Sequence, residues 1–217
     1  MSDASHITLK KDGSSRIEIK QSVFIGNAAP VSSREEADAF VADIRRKYPD
    51  ARHSCYAWKI DSTMHMQKYS DDGEPSGTAG MPILNILEHN DITDSIIVVT
   101  RYFGGILLGK GGLVRAYTEA AAEAVKDAGL VRITEGEAYK IRLGYDLSDK
   151  IIRELSNAGF TAEDISYTTD VEITAVCSSS DSERMIELVT NASAGRAVIT
   201  KDGNRDLKTD IDRSDIS

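Results

Sequence analysis

Apolar and polar positions change period several times along this chain, and each change marks an element. Arg16 to Lys20 and Ser22 to Ala29 alternate or run β-branched and apolar, the pattern of strands. From Ser33 the period lengthens: Ala37, Phe40, Val41 and Ile44 recur at helical spacing. Ser33 and Glu36 stand at capping-box spacing, and Pro49 ends the helix. His53 to Ile60 returns to a strand, with Tyr56, Trp58 and Ile60 on one side. The run Asp71 to Gly77 has the composition of a turn, and from Pro82 a short helix carries Ile83, Leu84, Ile86 and Leu87. Ser95 to Phe103 is a strand whose apolar run Ile96–Val99 predicts burial on both faces. A glycine-rich segment follows. Then Leu113, Ala116, Tyr117, Ala120 and Ala124 form a helical stripe that Gly129 closes.

The second half keeps a simpler rhythm. Tyr139 to Tyr145 reads as a strand, and Asp146 or Ser148 opens a helix carrying Ile151, Ile152 and Leu155, closed by Gly159. Phe160 to Tyr167 and Asp170 to Cys177 read as two tightly joined strands. Ser180 or Asp181 caps a helix with Met185, Ile186, Leu188 and Val189, and Arg196 to Thr200 is a last strand. The order β-α-β-β-α-β is that of the ferredoxin-like split motif. The pattern predicts two α+β domains, residues 1–135 and 136–205, divided near Glu135-Gly136-Glu137. A polar tail, residues 206–217, is expected to be frayed, as is the polar run from Asp202.

Composition narrows the class. With 217 residues, 41% hydrophobic and 28% charged, the chain is long enough and apolar enough for packed domains. It holds no apolar run of the length a membrane helix needs, and its first residues lack the apolar core of a secretory signal, so a cytoplasmic protein is expected. Cys55 and Cys177 stand far apart and belong to no C-x-x-C pair, which reads as two buried thiols rather than a disulfide or zinc site. The net charge of −9 disfavours indiscriminate attachment to nucleic acid or anionic lipid. Any anion site is then a local basic patch on an acidic body.

The candidate patch is the loop Gly104, Gly105, Ile106, Leu107, Leu108, Gly109, Lys110, Gly111, Gly112. Gly104, four residues, Gly109 and Lys110 fit the frame of a nucleotide P-loop, but Gly111 stands where the Mg²⁺-binding hydroxyl belongs, and Ile106–Leu108 is bulky where backbone must wrap phosphate. The dinucleotide fingerprint fails at Val114. What survives is a helix start with free N–H donors, Lys110 and Arg115 beside it, and Arg101 and Tyr102 just before it as a bidentate phosphate contact and a stacking ring. Two readings of these residues stand side by side. In the other, the glycines merely let a helix pack close to a sheet, and Arg101 pairs with Asp71, Asp72 or Glu74. The loop Asp71, Asp72, Gly73, Glu74 offers carboxylates for Mg²⁺ or acid–base work, though Gly and Pro among them favour a plain turn. His53, His65 and His89 lack mutual ligand spacing, and no nucleophile elbow or H-E-x-x-H occurs. Tyr56 and Trp58 read as core rather than as a base-stacking platform.

The stretches SDDGEPSGTAG and VVTRYFGGILLGKGGLVRAY, with the earlier ARHSCYAW, closely resemble the IMPACT family in its bacterial YigZ-type branch, over nearly the whole chain. The family's motif falls here on Asp71–Glu74, Gly77, Thr78 and Gly80, then on Arg101, Tyr102, Gly104, Gly105, Leu108, Gly109, Gly111, Gly112 and Tyr117. The resemblance implies an N-terminal β-α-β domain of the kind found in a ribosomal small-subunit protein, followed by a ferredoxin-like domain. That pair looks like the fourth and fifth domains of elongation factor G. It implies association with RNA or the ribosome and a part in regulating translation. Eukaryotic members carry an added N-terminal RWD module, for which this chain is expected to have no room.

The resulting expectation is a cytoplasmic RNA- or ribosome-associated protein without chemistry or cofactor of its own. Its nucleic-acid or phosphate site is Arg101, Tyr102, Gly104, Gly105, Gly109, Lys110, Gly111, Gly112 and Arg115, with no metal and no membrane contact. A protein partner through the C-terminal sheet is a further expectation. The alternative is a nucleotide- or metal-dependent hydrolase using the Gly104–Gly112 loop or the Asp71–Glu74 loop.

Overall fold

The computed structural model describes residues 5–60 and 66–211. His65 and the last six residues of the expected tail lie outside them. The elements run β1 (Ser5–Leu9), β2 (Gly13–Ile19), β3 (Ser22–Pro30), α1 (Arg34–Lys47), β4 (His53–Ile60), β5 (Met66–Ser70), α2 (Gly80–His89) and β6 (Ser95–Tyr102). Then come α3 (Gly109–Ala128), β7 (Leu130–Leu143), α4 (Tyr145–Asn157), β8 (Thr161–Tyr167), β9 (Val171–Ser178), α5 (Ser182–Ala192) and β10 (Val198–Ile211). The protein is α+β and has two compact units, residues 6–132 with the end of β10, and residues 133–208.

The N-terminal unit is three layers deep. Its antiparallel sheet has the order β2-β3-β6-β4-β5, so the apolar strand β6 sits at the centre. Ile97 and Val99 face the core shared with α2 and α3, and Ile96 and Val98 face the core shared with α1. Burial on both faces is thus met by a helix layer on each side. In α1, Ser33 Oγ accepts the Glu36 amide at 3.2 Å. The Glu36 carboxylate reaches one residue further back than a capping box would take it, to the amide and hydroxyl of Ser32 at 2.7 and 2.9 Å.

The alanine stripe of α3 has a packing reason. A Cβ on Gly26 would lie 2.5 Å from the Ala120 carbonyl oxygen, and one on Gly13 would lie 2.4 Å from that of Ala124. Glycine on the strands and alanine on the helix bring the two backbones together without a void.

The C-terminal unit has the strand order β10-β7-β9-β8, with α4 and α5 on one face. This is the ferredoxin-like arrangement. Ile151, Leu155, Met185 and Val189 from the helices pack on Tyr139, Ile141, Ile173 and Ala175. Gly144 precedes α4, so neither Asp146 nor Ser148 caps it.

The run Glu135-Gly136-Glu137, near which the domains were expected to divide, lies in the middle of β7, and the two compact units part close by, between Arg132 and Ile133. A Cβ on Gly136 would lie 2.8 Å from the carbonyl oxygens of both Arg205 and Cys177. One expectation is corrected here. The polar run from Asp202 is no frayed tail as far as Ile211, because β10 carries it in strand pairing with β7. β10 is mostly exposed, so its polar side chains stay in water while the backbone pairs.

Candidate nucleic-acid interface

The acidic loop between β5 and α2 is held by its own carboxylates. Asp71 accepts the amides of Gly77, Ala79 and Gly80 at 2.9, 3.0 and 2.9 Å. It therefore caps α2, whose N-cap residue Ala79 has no side-chain acceptor to offer. Partial burial pushes the Asp71 carboxyl upward, but the Gly77, Gly80 and Ala79 amides outweigh it and hold the group below the usual carboxylate range. Asp72 accepts the Ser54 amide and Arg45 Nη2, each at 2.7 Å, while its carbonyl lies 2.8 Å from His53 Nδ1. Glu74 is buried, and its Oε1 accepts from Arg101 Nη1 at 2.7 Å and from the Tyr117 hydroxyl at 2.8 Å. All three carboxylates are spent on holding the loop. Among the described residues no group of three His, Cys, Asp or Glu side chains is placed to hold a metal ion.

Arg101 is thereby corrected from a phosphate contact to a core residue. Its side chain is 7% exposed and lies between the rings of Phe24 and Phe103, each centroid 5.4 Å from Cζ. Glu74 takes its charge, the pairing that spacing left open among three carboxylates. The network continues inward. Cys55 Sγ donates to the Asp71 carbonyl at 2.9 Å and lies 3.5 Å from the Tyr117 hydroxyl. Burial pushes the Cys55 thiol up to about 12, against a smaller opposing pull from the Tyr117 hydrogen bond. The sequence reading missed Cys55 and Tyr117 as parts of this cluster. One signal was available: a tyrosine in a helix's apolar stripe needs a partner for its hydroxyl.

The glycine loop begins against the two-residue turn Lys20-Gln21, where both φ angles are positive, 46° and 64°. A Cβ on Gly104 would lie 2.1 Å from the Gln21 carbonyl carbon, so only glycine fits. Ser22 Oγ accepts the Gly104 amide at 3.1 Å. Gly109 has φ 72° and opens α3. Leu108, the N-cap residue, offers no side-chain acceptor, and the amides of Gly109, Lys110 and Gly111 have no internal acceptor among the described residues. Lys110 and Arg115 are exposed and pair with no carboxylate among them either. Tyr102 is half-buried at the end of β6.

The structure therefore gathers Gly104, Gly105, Gly109, Lys110, Gly111, Gly112 and Arg115 at one end of α3 and sends Arg101 into the core. It also places Phe103, Ile106 and Leu107 in water there, Leu107 at 83% exposure. Sequence reasoning noted Ile106 and Leu107 only as too bulky for a P-loop.

The chain matches the Impact N-terminal domain over residues 20–125, and a domain of unknown function, DUF1949, over residues 141–196. It is 37% identical over 195 residues to IMPACT family member YvyE of Bacillus subtilis, covering 90% of each chain. It is 43% identical over 130 residues to IMPACT family member YigZ of Escherichia coli, covering 59% of this chain and 64% of that one. A crystal structure of an hypothetical protein is similar at a TM-score of 0.59 and 31% identity, covering 92% of this chain and 97% of the other.

Proposed function

This chain belongs to the IMPACT family, and from that premise we propose that it acts in the regulation of translation, in the cytoplasm, by docking on a structured ribonucleoprotein surface such as the ribosome. The contact is the loop 104–112 with the first turns of α3. One observation carries the reading: Lys110 and Arg115 stand unpaired among the described residues beside an uncapped helix start, on a chain of net charge −9. Free amides and aligned peptide dipoles at a helix N-terminus favour phosphate oxygens. Other cations, among them Lys11, Arg16, Lys20 and Arg52, also stand without an ion pair among the described residues. What sets Lys110 and Arg115 apart is their place beside free amides, and that combination favours an external anion. The exposed Phe103 and Leu107 suit an irregular, partly apolar surface better than a bare helical backbone.

Co-sedimentation with purified ribosomes at two salt concentrations tests the proposal. K110A/R115A removes two phosphate contacts, which flattens the slope of log affinity against log salt by about 1.4–1.8 units. Both residues are exposed, so the fold is expected to persist. A double variant that sediments like the unaltered protein at both salts would rule this surface out.

A further inference from the structure

The C-terminal sheet ends on β8, the outer strand of the order β10-β7-β9-β8. From Asp164 to Tyr167 its register with β9 is unbroken: Asp164 faces Thr174, Ile165 faces Ile173, Ser166 faces Glu172 and Tyr167 faces Val171. Ile173 and Val171 belong to the core shared with α4 and α5. Opposed residues share a face, so Ile165 and Tyr167 stand on the helix side, and Asp164, Ser166 and Glu172 on the other. Ile165 and Tyr167 are nevertheless 37% and 58% exposed. Tyr145, at the start of α4, stacks on Tyr167 with ring centroids 6.2 Å apart and donates its hydroxyl to the Thr168 carbonyl at 2.5 Å. An apolar ledge thus runs along one side of a strand edge that is unpaired among the described residues, and carboxylates along the other. Arg205 lies 3.0 Å from Glu163 and 4.0 Å from Asp164, so two edge carboxylates share one cation. Further in, Glu172 of β9 stands opposite Arg142 of β7 with no ion pair among the described residues.

An edge strand leaves a row of backbone donors and acceptors open to another chain. We propose that β8 takes up an extended cationic segment of another protein as an added strand. Its apolar side chains lie beside Ile165 and Tyr167, and its Lys or Arg side chains lie beside Asp164 and Ser166, with Glu172 one strand further in on the same face. Charge selects this occupant. A second copy pairing through its own β8 brings carboxylates against carboxylates, and a phosphate backbone meets the same repulsion. A basic strand of alternating pattern meets neither penalty and extends the helix-side core by one row. The register irregularity between Ala162 and Asp164 confines the pairing to the stretch from Asp164 to Tyr167, which keeps the contact short and reversible.

The test uses the full chain and a fluorescein-labelled decapeptide of alternating lysine and valine. A control peptide replaces two valines by proline, keeping the charge but breaking the strand. The alternating probe is expected to bind about tenfold tighter than the control. It is also expected to slow amide exchange from Asp164 to Tyr167. D164K/E172K should lower that affinity about tenfold and favour an alternating glutamate–valine probe instead. Equal binding of the two lysine peptides reduces the effect to bulk charge and overturns the proposal. Unaltered amide exchange in β8 overturns it too, and that measurement stands even if the double variant does not fold. So does self-association through β8 that the probe fails to compete away. None of these readouts involves Lys110 or Arg115, so this proposal and the α3 reading fail separately.

Discussion

At the scale of single residues, the decisive contact is Arg101 with Glu74. Both side chains are nearly inaccessible, at 7% and 4% exposure, and the Tyr117 hydroxyl shares the Glu74 oxygen. A buried pair of this kind need not add net stability, since desolvation offsets much of the attraction, but breaking it leaves one charge stranded. Glu74→Gln keeps the shape and strands Arg101, whose Nε already lacks a partner. A loss of about 3–5 kcal/mol in urea-unfolding free energy is expected. Replacing both residues by apolar side chains of similar size should cost far less, because no charge is then left behind. A loss below about 1 kcal/mol for the single variant would show that the pair is not desolvated as described. The same contact explains why arginine type alone did not reveal its role. Asp71, Asp72 and Glu74 lie close together in sequence, and only the turn decides which of them folds beneath β6.

At the scale of elements, α2 and α3 start in opposite ways. The start of α2 is satisfied from a distance by Asp71, whereas that of α3 is left open. The Asp71 carboxyl is depressed in the fold, so its stabilising contribution is complete above its unfolded value, near 3.9. That contribution is lost as the pH falls through the lower folded value. Asp71→Asn keeps only one of the two oxygens that Asp71 uses and sets an NH₂ against an amide that loses its acceptor. It should cost about 1 kcal/mol at neutral pH, and the gap between variant and parent should narrow in acid. Unfolding free energies measured between pH 7 and pH 3 check this, and a gap that widens in acid would refute the capping role. The elements legible in the sequence are those whose side chains carry the burial. β6 has apolar residues on both faces, and α4 and α5 have apolar stripes toward one sheet. β5 went unseen because an edge strand of Met66-Gln67-Lys68-Tyr69-Ser70 buries little and is defined by backbone pairing with β4. The full length of β10 was hidden for the same reason. In the candidate site, the glycines and Lys110 were legible as an open helix start. The exposure of Leu107 was not, since an apolar residue carries no mark of facing water.

At the scale of the whole molecule, a local cationic spot competes with a body of net charge −9. At physiological ionic strength the screening length is about 8 Å, so in the proposed contact Lys110, Arg115 and the α3 amides would act on a phosphate largely by themselves. At 10 mM salt it grows to about 30 Å, and carboxylates across the chain then repel the same ligand. Two phosphate contacts on a single strand alone predict about a 40-fold gain in affinity between 150 mM and 10 mM salt. For a naked flexible RNA such as poly(U), the gain should fall clearly short of that, because the body's repulsion rises as the local attraction does. Affinity at 150 mM should be no tighter than the non-specific range of about 10⁻⁴–10⁻⁶ M. Fluorescence anisotropy with labelled poly(U) across that salt range decides it. A gain of the full size, or sub-micromolar binding at 150 mM, would mean that the acidic body does not restrain the site. Selectivity for a shaped ribonucleoprotein would then need another source than charge. If the shortfall is found, it explains how a short open helix start can serve an acidic protein: the body discourages loose RNA, and only a partner that also meets Phe103 and Leu107 repays the approach.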